Sequence, residues 1–530
     1  MDETAGETQP QVRRLAVSTL IFALATGLSR VLGLVREIVA AYYFGAAGRI
    51  NAFTVAFQIP NLIRALVADA ALSSAFVPVF SELLEKGERK RAWRVASSLF
   101  WLMLLGLTGL TALFVVIAPW IIDLFGNPGG DRGLAVNLSR ILFPLVALLG
   151  VSGIVVGILN SYDEFSVPAL TPVFWNLAIV AGLVIGVPRV HGIDAKLYVY
   201  AVSILIGTVI QVLLPIPWLR GKDGSLQLVL DWRDPAVRQV FALMVPVTIS
   251  LGLINFNAVV DTFFASRLID PNLAPNAIEK AFRIYMLPQG MFSVAVATVL
   301  FPTLSRAAAR GDLVTFRATV SRGLRQIGFL LLPASAASAV LAEPIVRLLY
   351  QRGAFTGHQT TVVAGALAAF SAGLTFNGTM LLLNRAFFSL QSNWLPTAIA
   401  LGNLALNAAL DAAFYRLGTW GIPLSTSLVN VAGTVVLLWV LRRRVGPIGF
   451  RGTAEATVRV ALAAAALAGV AYGVWKGLDA ALGRSLGGQI VSLSSALAAG
   501  VVVYAAGCRA LGVRELQAVL QLRRRSRPPS

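Results

Sequence analysis

The sequence has few charged residues, two histidines and a single cysteine. Only 13% of its 530 residues are charged, whereas 57% are hydrophobic. A water-soluble protein of this length needs many more polar side chains to cover its surface, so the composition excludes an ordinary soluble protein. The lone Cys508 excludes a disulfide framework. His191 and His358 lie far apart in polar connections, which favours surface histidines over a metal site.

Acidic residues are scarce as well. The chain has 25 Asp and Glu against 44 Lys and Arg, a formal net charge of +19. A basic chain can indicate nucleic-acid binding, but here the cations lie in short loops between apolar runs, and alternate loops carry most of them. This asymmetry predicts membrane topology with both termini in the cytoplasm, and it predicts no nucleic-acid partner.

Long apolar runs, by contrast, recur from end to end. Runs of about twenty residues are long enough to cross a bilayer as helices. The sequence therefore predicts an all-α polytopic membrane protein with about fourteen transmembrane helices, near 15–44, 51–82, 92–118, 134–160, 168–188, 195–218, 236–266, 276–305, 316–342, 359–388, 394–414, 419–441, 454–476 and 487–508.

Two pairs of segments indicate an internal repeat. "VPVFSELLEKGERKRAWR" (77–94) resembles "FPTLSRAAARGDLVTFR" (301–317), and "SVPALTPVFWN" (166–176) weakly resembles "NWLPTAIALGN" (393–403). The offset spans six helices, and an even number predicts two parallel, pseudo-symmetric six-helix lobes, a transporter plan. The predicted organisation is a cytoplasmic N-terminal tail (1–14), an N-lobe (15–222), a C-lobe (233–444), two additional helices (452–508) and a basic cytoplasmic tail (509–530).

Charged residues inside the predicted spans are few and costly, so each needs an explanation. Arg30, Arg64 and Arg283 lie well inside their spans, where snorkelling to an interface explains them poorly. Their surplus over nearby carboxylates indicates a water-filled cavity of positive potential. Arginine binds phosphate oxygens bidentately, so such a cavity suits an anionic headgroup. For residues near helix ends, a structural ion pair is as good an interpretation; these are Arg36, Glu37 and Asp69.

Four segments carry a resemblance to a known family: "SRVLGLVREIVAAYYFGA", "NAFTVAFQIPNLIRALVADAALSSAFVPVFSE", "RIYMLPQGMFSVAVATVLFPTLSR" and "LYQRGAFT". Together they resemble the MurJ/MviN family, the lipid II flippases of the multidrug/oligosaccharidyl-lipid/polysaccharide exporter superfamily. The resemblance covers essentially the whole chain. It implies a fourteen-helix fold around a central cationic cavity, and a hydrophobic groove, lined by the last two helices, for the polyprenyl tail.

The resemblance also implies functional residues. The implied substrate-binding set contains the family's cavity arginines, the acid that follows the second of them and neighbouring polar residues: Arg30, Arg36, Arg64, Arg283, Glu37, Asn51, Asn61 and Asp69. The family often has aspartate where this chain has Asn51, so we expect aspartate to be tolerated there. Some members carry a sodium site, whose pattern is matched by Asp261, Asn407, Asp411 and Thr426. The alternative for this second set is a polar interhelical network without an ion.

The expected function is translocation of lipid II, the undecaprenyl-diphosphate-linked disaccharide-peptide, from the cytoplasmic to the periplasmic leaflet by alternating access, for cell-wall synthesis. The protein is expected in the bacterial inner membrane, with lipid II and membrane lipids as its partners, and it is expected to act as a monomer. Sodium is the candidate coupling ion, and no other cofactor is expected. The absence of a P-loop motif favours an ion gradient or the membrane potential as the energy source. The alternative is a flippase for another polyprenyl-diphosphate-linked oligosaccharide. A membrane glycosyltransferase would need acidic groups clustered at a membrane face, so we do not expect an enzyme.

Overall fold

The computed structural model describes residues 8–67, 70–392 and 394–517. These residues form eighteen α-helices joined by short turns and contain no β-strand. Because the apolar runs are continuous, a helix can pack one apolar face against neighbouring helices and turn another apolar face to lipid, as membrane helices do. The predicted all-α class is confirmed.

The first compact unit comprises Met1–Arg267 with Pro271–Pro275. The predicted seventh span (236–266), which the sequence assigns to the second lobe, lies in this unit as α9 and packs against α2 and α3. The helices of the first unit are α1 (Thr8–Phe44), α2 (Ile50–Val67), α3 (Ala70–Glu85), α4 (Arg89–Leu124), α5 (Arg132–Leu142), α6 (Pro144–Ser161), α7 (Ser166–Ala181), α8 (Ile193–Leu213) and α9 (Pro235–Phe264).

The second unit comprises Leu268–Asp270 with Asn276–Ser530. Its last two helices pack on each other, and both contact α12 and α13. The helices that make up this part of the chain are α10 (Ala274–Pro288), α11 (Val294–Ala309), α12 (Leu313–Val340), α13 (Ala342–Tyr350), α14 (Gly357–Ser389), α15 (Trp394–Phe414), α16 (Gly421–Val445), α17 (Phe450–Leu482) and α18 (Leu486–Ala510).

Ionic and polar contacts hold the pair α17–α18 against α12 and α13. Arg347 of α13, only 4% exposed, donates two hydrogen bonds to the Asp479 carboxylate of α17. At the other end of the pair, Arg325 lies 3.3 Å from Glu515. Between them, the Tyr504 hydroxyl donates to a backbone carbonyl of α12 at 2.6 Å. The two additional helices are therefore a fixed part of the second unit.

Within the described residues, eleven helical segments are long and apolar enough to cross a membrane. The other three predicted spans coincide with helices that are not among these eleven. They are α1, α2 together with α3, and α9. They contain polar residues that the sequence singles out, among them Arg30, Arg64 and Asp261. All fourteen predicted spans thus coincide with helices, and the chain is a multi-pass membrane protein.

Several boundaries differ from the prediction. The first helix begins at Thr8, inside the predicted N-terminal tail. The predicted span 134–160 is made of two helices, α5 and α6, which meet at Phe143, directly before Pro144. Proline lacks an amide hydrogen and fixes its own backbone angle, so it commonly starts a new helix.

The predicted internal repeat is visible in the turns. Asp163 and Gln391 are the two non-glycine residues with positive φ among the described residues, at 59° and 54°. Each follows a helix, and in each turn the next residue's amide donates to a carbonyl five residues earlier, at 2.9 and 3.0 Å. Gly87 and Gly311, with φ of 77° and 68°, form a second matched pair of turns. Equivalent segments of the two units therefore share this backbone geometry, as the predicted repeat requires.

Candidate functional site

Arg36 and Glu37 of α1 form a buried ion pair. The Arg36 side chain donates to Glu37 Oε1 at 2.8 Å, and the two residues are only 8% and 9% exposed. Arg36 also donates to Asn176 Oδ1 of α7 at 3.2 Å, and its guanidinium lies 4.9 Å from the centre of the Trp175 ring. A buried charge needs such partners, because the membrane interior solvates ions poorly. The guanidinium is thus held by α7.

Arg30 lies on the same helix but is exposed. The neighbouring face of α1 is apolar and also exposed, with Leu24, Leu28 and Val31 at 50–64%. The structure therefore separates the two arginines of α1: Arg36 is enclosed by protein, whereas Arg30 is accessible to a ligand.

Arg64 lies near the C-terminal end of α2 and is half-buried. Its Nε and Nη2 atoms donate to Asn61 Oδ1 at 3.2 and 3.0 Å. The end of α2 is placed by α9, since the Thr248 hydroxyl donates to the Leu66 carbonyl at 3.1 Å and Gly252 leaves space for the Leu66 side chain. The predicted pair Asn61 and Arg64 is thus brought together. Asp69 lies outside the described residues.

Asn51, at the start of α2, is fully buried. Its Nδ2 lies within hydrogen-bond distance of three backbone carbonyls, those of Ala46 and Gly48 at 3.1 Å each and that of Asn272 at 2.6 Å. Next to it, Gly129 has φ +67°, and a Cβ atom there would lie 2.9 Å from a backbone nitrogen of α2. This carboxamide acts as a donor that closes a tight loop junction.

Arg283 of α10 is the candidate cation of the second unit. Its Nη2 lies 3.1 Å from Glu279 Oε1, one helical turn away, and 41% of its side-chain surface is accessible. Burial of Tyr285 against Phe370 of α14, with ring centres 5.3 Å apart, fixes this part of α10. Because Arg283 remains partly accessible, its guanidinium can still contact an anion.

The proposed sodium residues divide between the units. Asn407 and Asp411 of α15 are both fully buried, and Asn407 Nδ2 donates to Asp411 Oδ2 at 3.0 Å. Thr426 of α16 donates its hydroxyl to a carbonyl of its own helix. Asp261 lies in the first unit, where Asn257 Nδ2 is 3.4 Å from each of its carboxylate oxygens. Each carboxylate thus accepts from an asparagine four residues earlier on its own helix.

The sequence did not indicate Trp175, Asn176, Asn257 or Glu279 as site residues. Asn176 had a weak signal, because it is a polar residue within an apolar run and ends one of the repeated segments. The other three carry no local pattern that distinguishes them from packing or surface residues, and only their contacts identify them.

Sequence comparison places the chain in a known family. A family model described as "Lipid II flippase MurJ" matches residues 40–482, most of the chain. The chain belongs to the MurJ family. The lipid II flippase MurJ of Burkholderia cenocepacia is 32% identical over 79% of this chain and 82% of its own length. The probable lipid II flippase MurJ of Vibrio cholerae is 30% identical over 95% of this chain and 97% of its own length.

Solved structures agree with the MurJ fold. A structure of the lipid II flippase MurJ in an inward closed conformation superposes with a TM-score of 0.77, at 24% identity, over 93% of this chain and 99% of that one. An inward-facing multidrug-resistance transporter of the MATE family has a TM-score of 0.66, at 14% identity, over 81% of this chain and 98% of its own. The fold of this chain is therefore shared with that transporter.

Proposed function

We propose that this protein translocates lipid II from the cytoplasmic to the periplasmic leaflet of the bacterial inner membrane, for cell-wall synthesis. Membership of the MurJ family carries this proposal. The substrate is moved by alternating access without covalent change, so the protein acts as a transporter and not as an enzyme. Both termini lie in the cytoplasm by the distribution of basic loops, and the protein works as a monomer.

Arg30, Arg64 and Arg283 are the proposed contacts for the anionic part of the substrate. Each lies within a predicted span, and each is at least partly accessible. A diphosphate presents several oxygens that can accept paired hydrogen bonds from a guanidinium, which an ammonium group cannot supply with the same geometry. Glu279 and Asn61, which pair with Arg283 and Arg64, orient these guanidinium groups.

Sodium is proposed as the coupling ion, with Asn407 and Asp411 among its ligands. Carboxylate and carboxamide oxygens are hard donors that suit an alkali cation, and the two residues lie one helical turn apart. A buried negative charge is energetically costly in a membrane protein, and Asp411 is fully buried. A bound cation or a proton would neutralise this carboxylate and so remove most of that cost. The proposal includes Asp261 and Thr426 by resemblance alone.

The deciding experiment is complementation of a bacterium depleted of its flippase, with the sidedness of lipid II as the readout. Arg30→Ala, Arg64→Ala and Arg283→Ala should each abolish translocation at a normal level in the membrane, because a charge-assisted phosphate contact is lost. Arg416→Ala is the matched control, since Arg416 is an exposed arginine stacked on Tyr415 in a connecting turn. Normal translocation in two of the three variants would refute the cationic site, and translocation of a different polyprenyl glycan would identify another substrate.

A further inference from the structure

Two consecutive residues of α7, Trp175 and Asn176, contact α1 where it carries its arginines. Asn176 is 5% exposed, and its carboxamide bridges two turns of α1. Its Oδ1 accepts from Arg36 at 3.2 Å, while its Nδ2 lies 3.4 Å from both the carbonyl and the hydroxyl oxygen of Ser29. The same Nδ2 donates to the Pro172 carbonyl at 2.9 Å, which fixes the carboxamide to its own helix.

The contact determines how α1 is rotated. Ser29 and Arg36 are seven residues apart and share one face of the helix, at about 100° per residue. Arg30 follows Ser29, so it points about 100° away from the face that Asn176 holds. This agrees with the exposure of Arg30 and the burial of Arg36. A rotation of α1 that broke the Asn176 contacts would also redirect Arg30.

Trp175 supports Arg36 from beneath. The guanidinium lies 4.9 Å from the ring centre, a favourable cation–π distance. The indole is itself fixed, because its Nε1 donates at 3.2 Å to the buried Thr208 hydroxyl of α8. Gly207 permits the close approach, since a Cβ atom there would lie 3.0 Å from the Trp175 carbonyl oxygen. The position of Arg36 is therefore determined by α7 and α8 together.

One donor of Arg36 stays available. Its Nε atom is buried and has no hydrogen-bond partner among the described residues. The other two guanidinium nitrogens donate to Asn176 and Glu37.

We propose that Asn176 is a positioning residue, which together with Trp175 holds Arg36 and thereby orients the turn carrying Arg30 for the diphosphate of the substrate. This inference rests on the proposed function of the arginines. Asn176 itself does not contact the substrate. Its effect is transmitted through α1, and loss of its carboxamide weakens substrate binding while the fold persists.

The test compares two substitutions of Asn176 in the full-length protein, with lipid II binding and thermal unfolding measured in the same detergent. Asn176→Leu keeps the approximate volume but removes every hydrogen bond, and it should weaken lipid II binding about tenfold or more. Asn176→Asp keeps the acceptor for Arg36 but loses the donor to the Pro172 and Ser29 carbonyls, so it should weaken lipid II binding by a smaller factor than Asn176→Leu does. A wild-type affinity in a folded Asn176→Leu protein would overturn the inference, as would an equal loss in both variants.

Three further variants make each outcome decisive. Asn403→Leu is the matched control, because the internal repeat pairs Asn403 of α15 with Asn176; it should leave the affinity unchanged, and an equal loss there would overturn the inference. If Asn176→Leu fails to fold, Trp175→Leu removes the ring beneath Arg36, and wild-type affinity in that variant would count against the inference.

Arg30→Ala separates the two proposals. Lost binding in Arg30→Ala with normal binding in Asn176→Leu refutes only the positioning role, whereas normal binding in Arg30→Ala refutes the proposed role of Arg30 and the inference that rests on it.

Discussion

Replacing Asn51 by aspartate tests the loop junction at the start of α2. The family resemblance predicts that the acid is tolerated, but the geometry predicts the opposite. Asn51 is fully buried, and its Nδ2 faces three backbone carbonyls at 2.6–3.1 Å. A carboxylate has no hydrogen to donate, so it would place negative oxygen atoms against carbonyl oxygens.

The size of the effect follows from these contacts. The carboxamide has two N–H groups, so at most two strong hydrogen bonds are lost. The carbonyls of Gly48 and Asn272 keep backbone donors, the amides of Asn51 and Gly48 at 3.0 and 2.6 Å, so each loss costs about 1 kcal/mol. Burying the carboxylate among carbonyl oxygens adds about 1–3 kcal/mol. We therefore expect the free energy of unfolding to fall by about 3–5 kcal/mol.

The assay is thermal unfolding of the purified full-length protein, followed by intrinsic fluorescence. Asn51→Asp should unfold at a clearly lower temperature than the wild type. Asn61→Asp is the matched control on the same helix, because Asn61 Oδ1 already accepts from Arg64 and a carboxylate accepts more strongly. The control should keep the melting temperature while it lowers lipid II affinity, since Arg64 is held more tightly. An Asn51→Asp protein with the wild-type melting temperature would refute the donor role of this carboxamide.

Three further predictions concern the second unit, the loops and the coupling ion. Asp479→Asn leaves the buried Arg347 without its carboxylate and should cost about 3–5 kcal/mol of stability; an unchanged melting temperature would contradict the ionic attachment of α17. Gly129→Ala should destabilise the protein more than Gly221→Ala, because both glycines have positive φ but only Gly129 has a backbone atom where its Cβ would lie. Asp411→Asn should remove any sodium-dependent rise in melting temperature while lipid II binding persists, and equal wild-type melting curves in sodium and in a large-cation salt would argue against the ion.

The sequence by itself determined the positions of the helices. A membrane span must satisfy its backbone hydrogen bonds internally and expose apolar side chains to lipid, so its signal is local and can be read from one segment. The repeat was visible for the same reason: matched turns such as those at Gly87 and Gly311 need the same residue type at the same place. The arginines Arg30, Arg64 and Arg283 were found because charge in an apolar run is itself unusual.

The tertiary structure alone decided what each polar residue does. Arg30 and Arg36 are similar in sequence, yet one is exposed and the other is enclosed by Glu37, Trp175 and Asn176, which come from two different helices. Asn51 looked like a neutral substitute for an acid, but its environment of carbonyl oxygens requires a donor. Such roles depend on neighbours up to 221 residues away in the chain, and a hydrogen bond is specified by atoms about 3 Å apart, a distance that local sequence patterns do not encode.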